Sequence, residues 1–150
     1  MNTLSAENKY REGLAALSAG RAEEASELFE KAMRAERRHN VTQPQMRYLS
    51  YFGLSVALAQ GANKDALRAC ETAVRNEVYN PDLFLNLGKV YAMAGRMSKA
   101  LTIFAKGLKL DPRHRGLSDA IKNLDRRGRV SVGWLDRSHP VNTLLGRMRR

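Results

Sequence analysis

Scarcity is informative in this chain of 150 residues. A single cysteine, Cys70, excludes any internal disulfide and leaves no CxxC pair for metal or redox exchange. The three histidines, His39, His114 and His139, have no second ligand-type residue at i+3 or i+4. Nothing therefore points to a zinc or metalloprotease site. No glycine loop of the phosphate-cradling kind is present, and the Gly13–Gly20 segment follows no strand, so it is no nucleotide fingerprint. The most apolar window, Tyr51 to Ala59, is too short to span a bilayer. The opening MNTLSAENKY lacks the basic start and apolar core of a secretion signal, and the expected setting is cytoplasmic. With only four prolines, long helices are open to the chain. These absences lead us to expect a non-catalytic protein with no metal and no cofactor.

What is present is mostly charge and pattern. The net charge is +11. From residue 113 onward, ten Lys/Arg against three Asp give 10 − 3 = +7, whereas residues 1–112 give 16 − 12 = +4. The basicity lies mainly near the C-terminus and implies an acidic partner, a phosphate-bearing polymer or simple solubility.

The segment from Pro81 to Pro112 reads as two amphipathic helices joined at Ala94-Gly95-Arg96. Phe84, Leu87, Gly88 and Tyr91 share one face of the first, and Ala100, Leu101, Phe104 and Leu108 repeat the stripe on the second. Asn80 and Pro81 form a helix start, and Gly95 supplies a helix stop. The pattern recurs. Gly20, Ala25, Phe29 and Ala32 match Gly61, Ala66, Cys70 and Ala73, which match Gly95, Ala100, Phe104 and Gly107. The spacing between copies is 41 residues and then 34. Cys70 stands where phenylalanine stands in the other copies, so it is expected to be a core thiol.

A 34-residue helix–turn–helix unit with this small–aromatic–small second helix resembles the tetratricopeptide repeat (TPR) family. The resemblance implies an all-α fold in which three repeats, about 5–38, 45–77 and 81–112, stack as a right-handed solenoid. A capping helix over 114–127, with Leu117, Ile121 and Leu124 on one side, would close the TPR domain of residues 5–127. The basic tail, 128–150, does not continue the pattern and is expected to be partly extended, over Arg129 to Leu135.

In repeat one, Tyr10, Gly13, Ala16 and Leu17 are expected to line the inner face, and Ala25, Leu28, Phe29, Ala32 and Met33 to be buried on the second helix. The loop from Arg37 to Pro44 absorbs seven extra residues, as a contact or as a tolerated insertion. Thr42 and Gln45 are expected to form a capping box, with Pro44 in the first turn. Repeat two admits two registers, because Gly53 to Gly61 spans eight residues against seven elsewhere. Alignment on Gly53 buries Leu49, Phe52 and Val56; alignment on Gly61 buries Gly53, Leu54 and Ala57. The first places bulk where the other repeats have it and is preferred.

The family resemblance implies a groove lined by the first helix of each repeat and binding a segment of another protein. Its residues would be Tyr10, Arg11 and Leu14, then Arg47, Tyr48 and Tyr51, then Asp82, Leu85, Asn86 and Lys89. Glu7, Ser50, Leu54 and Met93 are expected to face the groove with them. Family members that grip the acidic C-terminus of heat-shock chaperones use cations and amides at positions held here by Tyr10, Leu14, Tyr51 or Phe52, Asp82 and Asn86. That role is not expected. In the tail, Trp134, Leu135, Leu144 and Leu145 are expected to dock on the solenoid, on a second copy as a homodimer clasp, or on a partner. The alternative is RNA or anionic membrane binding through Arg126, Arg127, Arg129, Arg137, Arg147, Arg149 and Arg150. The lack of an aromatic-interleaved basic stripe argues against nucleic acid.

Overall fold

The computed structural model describes residues 2–126, with side chains from Leu4 onward. Residues 127–150, including Trp134, Leu135, Leu144 and Leu145, lie outside the described residues. Helices α1 (Asn2–Ser18), α2 (Ala22–Arg38), α3 (Met46–Gln60), α4 (Lys64–Asn76), α5 (Pro81–Met93), α6 (Met97–Leu110) and α7 (Arg115–Arg126) follow in order. Among the described residues there is no strand, so the fold is all-α. Each helix packs on the next, and α3 also packs on α5 and α5 on α7. The result is three stacked hairpins closed by α7.

Local chemistry sets the helix ends. The Asn80 side chain accepts the Asp82 N–H (3.1 Å), with Pro81 opening α5. The Asn63 side chain accepts the Ala66 N–H at 2.9 Å. Gly20 (φ 77°) and Gly95 (φ 75°) are in the left-handed region. The following residues donate back across the turn, Arg21 N–H to Ala16 O and Arg96 N–H to Tyr91 O, both at 2.9 Å. The middle hairpin turns differently. There Gly61 N–H bonds to Ala57 O (3.0 Å), and Asn63 takes over as the cap of α4.

Inside each hairpin a glycine faces the bulky residue of the second helix. A Cβ built on Gly13 would lie 2.7 Å from Phe29 Cε1, and one on Gly88 would lie 2.2 Å from Phe104 Cε1. Gly53 stands in the same relation to Cys70, 2.7 Å from Sγ, so α3 aligns on Gly53. Because the thiol is smaller than a ring, the backbones close up, and Ala66 O stands 2.8 Å from that Cβ position. Phe29, Cys70 and Phe104 are all buried, as are Ala25, Ala32, Ala66, Ala73 and Ala100.

Two local expectations are corrected. Leu49 and Phe52 are only half-buried, while Leu54 and Ala57 join Val56 in the core. The cause is the central place of α3, which packs on α2, α4 and α5 and so buries more than one stripe. The Thr42–Gln45 capping box does not form, since Gln45 makes no side-chain cap hydrogen bond and Pro44 precedes the helix. Instead the buried Glu36 carboxylate reaches across the inserted loop and accepts the Gln45 N–H on both oxygens, each at 3.1 Å. Burial raises the Glu36 pKa, and that hydrogen bond and Arg47 oppose the rise. Leu117 and Ile121 of α7 are fully buried, with Leu117 against Gly107. His114 accepts the Leu117 N–H on Nδ1 (3.2 Å) and meets Asp82 Oδ1 through Nε2 (2.7 Å), tying α7 to α5.

Candidate functional site: the face of α1, α3, α5 and α7

The odd-numbered helices share one face of the stack, and its two ends differ in chemistry. At the N-terminal end the side chains engage one another, although the buried Arg47 Nε has no hydrogen-bond partner among the described residues. Glu7 of α1 accepts from Arg47 (2.6 Å) and from the Tyr48 hydroxyl (3.1 Å) of α3, with Arg11 at 3.4 Å. The Arg47 guanidinium lies 4.8 Å from the centre of the Tyr10 ring. Tyr10 in turn packs on Phe29, Tyr48 and Tyr51 at ring-centre distances of 5.8, 5.1 and 5.8 Å. Burial, with Tyr51 beside it, pushes the Tyr10 phenol up to about 12, so it stays neutral.

A second polar contact joins α3 to α5. The buried Asn86 amide donates to the buried Ser50 Oγ at 3.1 Å. Ser50 O also accepts from Cys70 Sγ (3.3 Å), and burial lifts that thiol to about 12.

The C-terminal end is open. A hollow of about 480 Å³ is lined by Leu17 of α1, Leu54 and Leu58 of α3, Lys89, Ala92 and Met93 of α5, Met97 of α6, and Asn123 and Leu124 of α7. Leu58 is 52% exposed and Met93 41%, large apolar side chains left uncovered at the rim. Lys89 is the one ionisable residue in this lining. Desolvation by its neighbours lowers its pKa, and among the described residues it has no ion pair or hydrogen bond through its side chain.

The expected groove residues divide accordingly. Arg11, Asp82 and Lys89 are exposed, and Leu14, Arg47 and Tyr51 are half-buried. Tyr10, Tyr48, Leu85 and Asn86 are buried, as are Ser50 and Leu54. For Tyr10, Tyr48, Ser50, Leu85 and Asn86 the expectation of a groove-facing side chain is corrected. Adjacent units cover these positions: Glu7 and Tyr10 of the first hairpin lie on Tyr48, Ser50 of the second meets Asn86, and Gly116 of α7 lies against Leu85. The sequence reading did not single out Leu58, Met97, Asn123 or Leu124 as groove residues. The available signal was the apolar Leu58 and Met93 just ahead of the turns, beyond what hairpin packing requires. Among the described residues no group of three His, Cys, Asp or Glu could hold a metal, and no helix is long and apolar enough to cross a membrane.

Family models described as tetratricopeptide repeat match residues 57–123 and 6–39. The chain belongs to the tetratricopeptide repeat family. No curated protein matches this TPR chain in sequence. Solved TPR structures are similar to it in fold. The Arabidopsis OM64 TPR domain has a TM-score of 0.66 at 18% identity, covering 85% of this chain and 99% of that one. The first TPR of Spaghetti (RPAP3), bound to the HSP90 peptide SRMEEVD, has a TM-score of 0.68 at 13% identity, covering 87% and 100%. YrrB, described as a TPR protein with an unusual peptide-binding site, has a TM-score of 0.61 at 22% identity, covering 96% and 67%.

Proposed function

We propose that this TPR protein is a non-catalytic, cytoplasmic scaffold that holds a segment of a partner protein against the hollow between α3, α5 and α7. Residues 5–127 form the binding domain in this reading, with 128–150 as an appendage. The observation that carries it is the open apolar hollow with Leu58 and Met93 at its rim. Two structural neighbours are described as holding a peptide or having a peptide-binding site, which supports the class of ligand. A chaperone C-terminus does not suit this face. Asp82 puts an acid where a cation would be needed and is engaged by His114, while Asn86 is spent on Ser50.

The test begins with a partner captured by the full chain, identified, and its contact segment mapped by cross-linking and made as a peptide. Leu58→Asp and Met93→Asp should each weaken that peptide at least tenfold, while Lys106→Asp on the exposed side of α6 leaves it unchanged. Equal binding by Leu58→Asp, Met93→Asp and the unaltered chain would remove the proposal.

A further inference from the structure

The hollow contains a charge that has no partner among the described residues. Lys89 stands on its wall beside Leu54, Met93 and Leu124, partly desolvated by its neighbours though still exposed, and among the described residues no carboxylate is paired with it. An occupant that buries apolar surface here and also brings one carboxylate would complement the site. The chain's own sequence supplies one. Helix α7, whose Asn123 and Leu124 line the hollow, is described as far as Arg126, and residues 127–150 follow in the sequence. The one acidic residue in that sequence is Asp136, directly after Trp134 and Leu135.

We propose that Trp134-Leu135-Asp136 of the same chain occupies the hollow, with the indole and leucine against Leu58 and Met93 and the Asp136 carboxylate on the Lys89 ammonium. The reach suffices. Residues 127–133 extend to about 23 Å at roughly 3.3 Å each. Crossing from α7 over α5 to α3 takes about 20 Å at helix spacings of roughly 8–10 Å. Tethering also holds the segment at an effective concentration on the order of millimolar, so weak contacts populate the docked state. A partner segment would then have to displace this one. The inference uses the same hollow as the partner reading but needs no partner for its test.

Trp134 is the only tryptophan, so indole emission of the full chain reports its surroundings. Expected is the emission of a shielded indole that does not change on dilution. Leu58→Asp and Lys89→Glu should each shift it toward that of water-exposed indole and raise acrylamide quenching several-fold. Combining Lys89→Glu with Asp136→Lys should restore shielding. Lys89 is exposed, so its substitution keeps the fold, which the helical circular dichroism signal verifies. Four outcomes overturn the proposal: a water-exposed indole in the unaltered chain, a shielded indole indifferent to both substitutions, a charge exchange that fails to restore shielding, or shielding lost on dilution. The last would assign the hollow to a second copy. An indifferent Trp134 alongside lost peptide binding in Leu58→Asp would sink this inference and leave the partner reading standing.

Discussion

The contact between Gly88 and Phe104 allows a prediction in which a substitution reverses sign. A methyl placed on Gly88 would stand 2.2 Å from Cε1 and 2.4 Å from Cδ1 of Phe104. Carbon atoms prefer about 3.5–4.0 Å, so ring or helix must give by more than 1 Å. Phe104 is 1% exposed and has little room to move. Overpacking of this kind costs about 1–3 kcal/mol, partly offset by the roughly 1 kcal/mol that alanine gains over glycine inside a helix. Gly88→Ala alone should therefore destabilise by up to about 2 kcal/mol. Phe104→Ala alone should cost about 3–5 kcal/mol for the lost ring and the space it leaves. In the Phe104→Ala background the clash has gone while the helix gain remains, so Gly88→Ala should now stabilise by up to about 1 kcal/mol. The assay is urea unfolding of the four proteins followed by circular dichroism, with the slopes compared to check that unfolding stays cooperative, since repeat arrays can lose cooperativity. Strict additivity of the two substitutions would refute the packing described here.

Three further outcomes follow from the same geometry. Gly53→Ala should cost more than Gly13→Ala, within about 1–3 kcal/mol each, because the backbone oxygen of Ala66 stands 2.8 Å from the new methyl and only helix separation clears it; equal costs in urea unfolding would contradict this. For Glu36 the folded pKa is raised above the ordinary 4.5, so the folded state holds its proton more tightly and stability falls as pH rises from 4.5 through the raised value. Glu36→Gln should flatten that slope in a pH series of unfolding curves, while Glu36→Leu, which strands the Gln45 N–H, should cost about 1–3 kcal/mol. Cys70, buried with its thiol at about 12, should resist iodoacetamide at pH 8 until the chain unfolds. Fast labelling of the native protein by mass spectrometry would place that thiol at the surface.

The hairpins were legible in the sequence because the requirement behind them is local. Gly13 and Phe29, or Gly88 and Phe104, lie 16 residues apart in one hairpin, and no other element is needed to bring them together. The open face was harder to read. A stripe of period 3.6 tells which side of a helix meets its hairpin mate, but α3 and α5 are covered from a second direction by the repeats on either side. Asn86 looks like a groove residue by composition, yet it is 1% exposed because Ser50, 36 residues earlier, waits for its amide. Tyr48 is likewise drawn under by Glu7 and Tyr10. The Glu36 bond to Gln45 was hidden for the same reason. Its partner was expected in the loop and instead came from the preceding helix.

The Asn86–Ser50 bond limits how this array could grow. Ser50 lies three residues before Gly53, and the matching position before Gly88 is Leu85. If hairpin three were duplicated, the amide of the new copy would meet an isobutyl group instead of the Ser50 hydroxyl and lose that hydrogen bond, at about 0.5–1.5 kcal/mol. Hairpin three is thus keyed to hairpin two, and a lengthened stack would recover the bond if Leu85 were changed to serine along with the duplication.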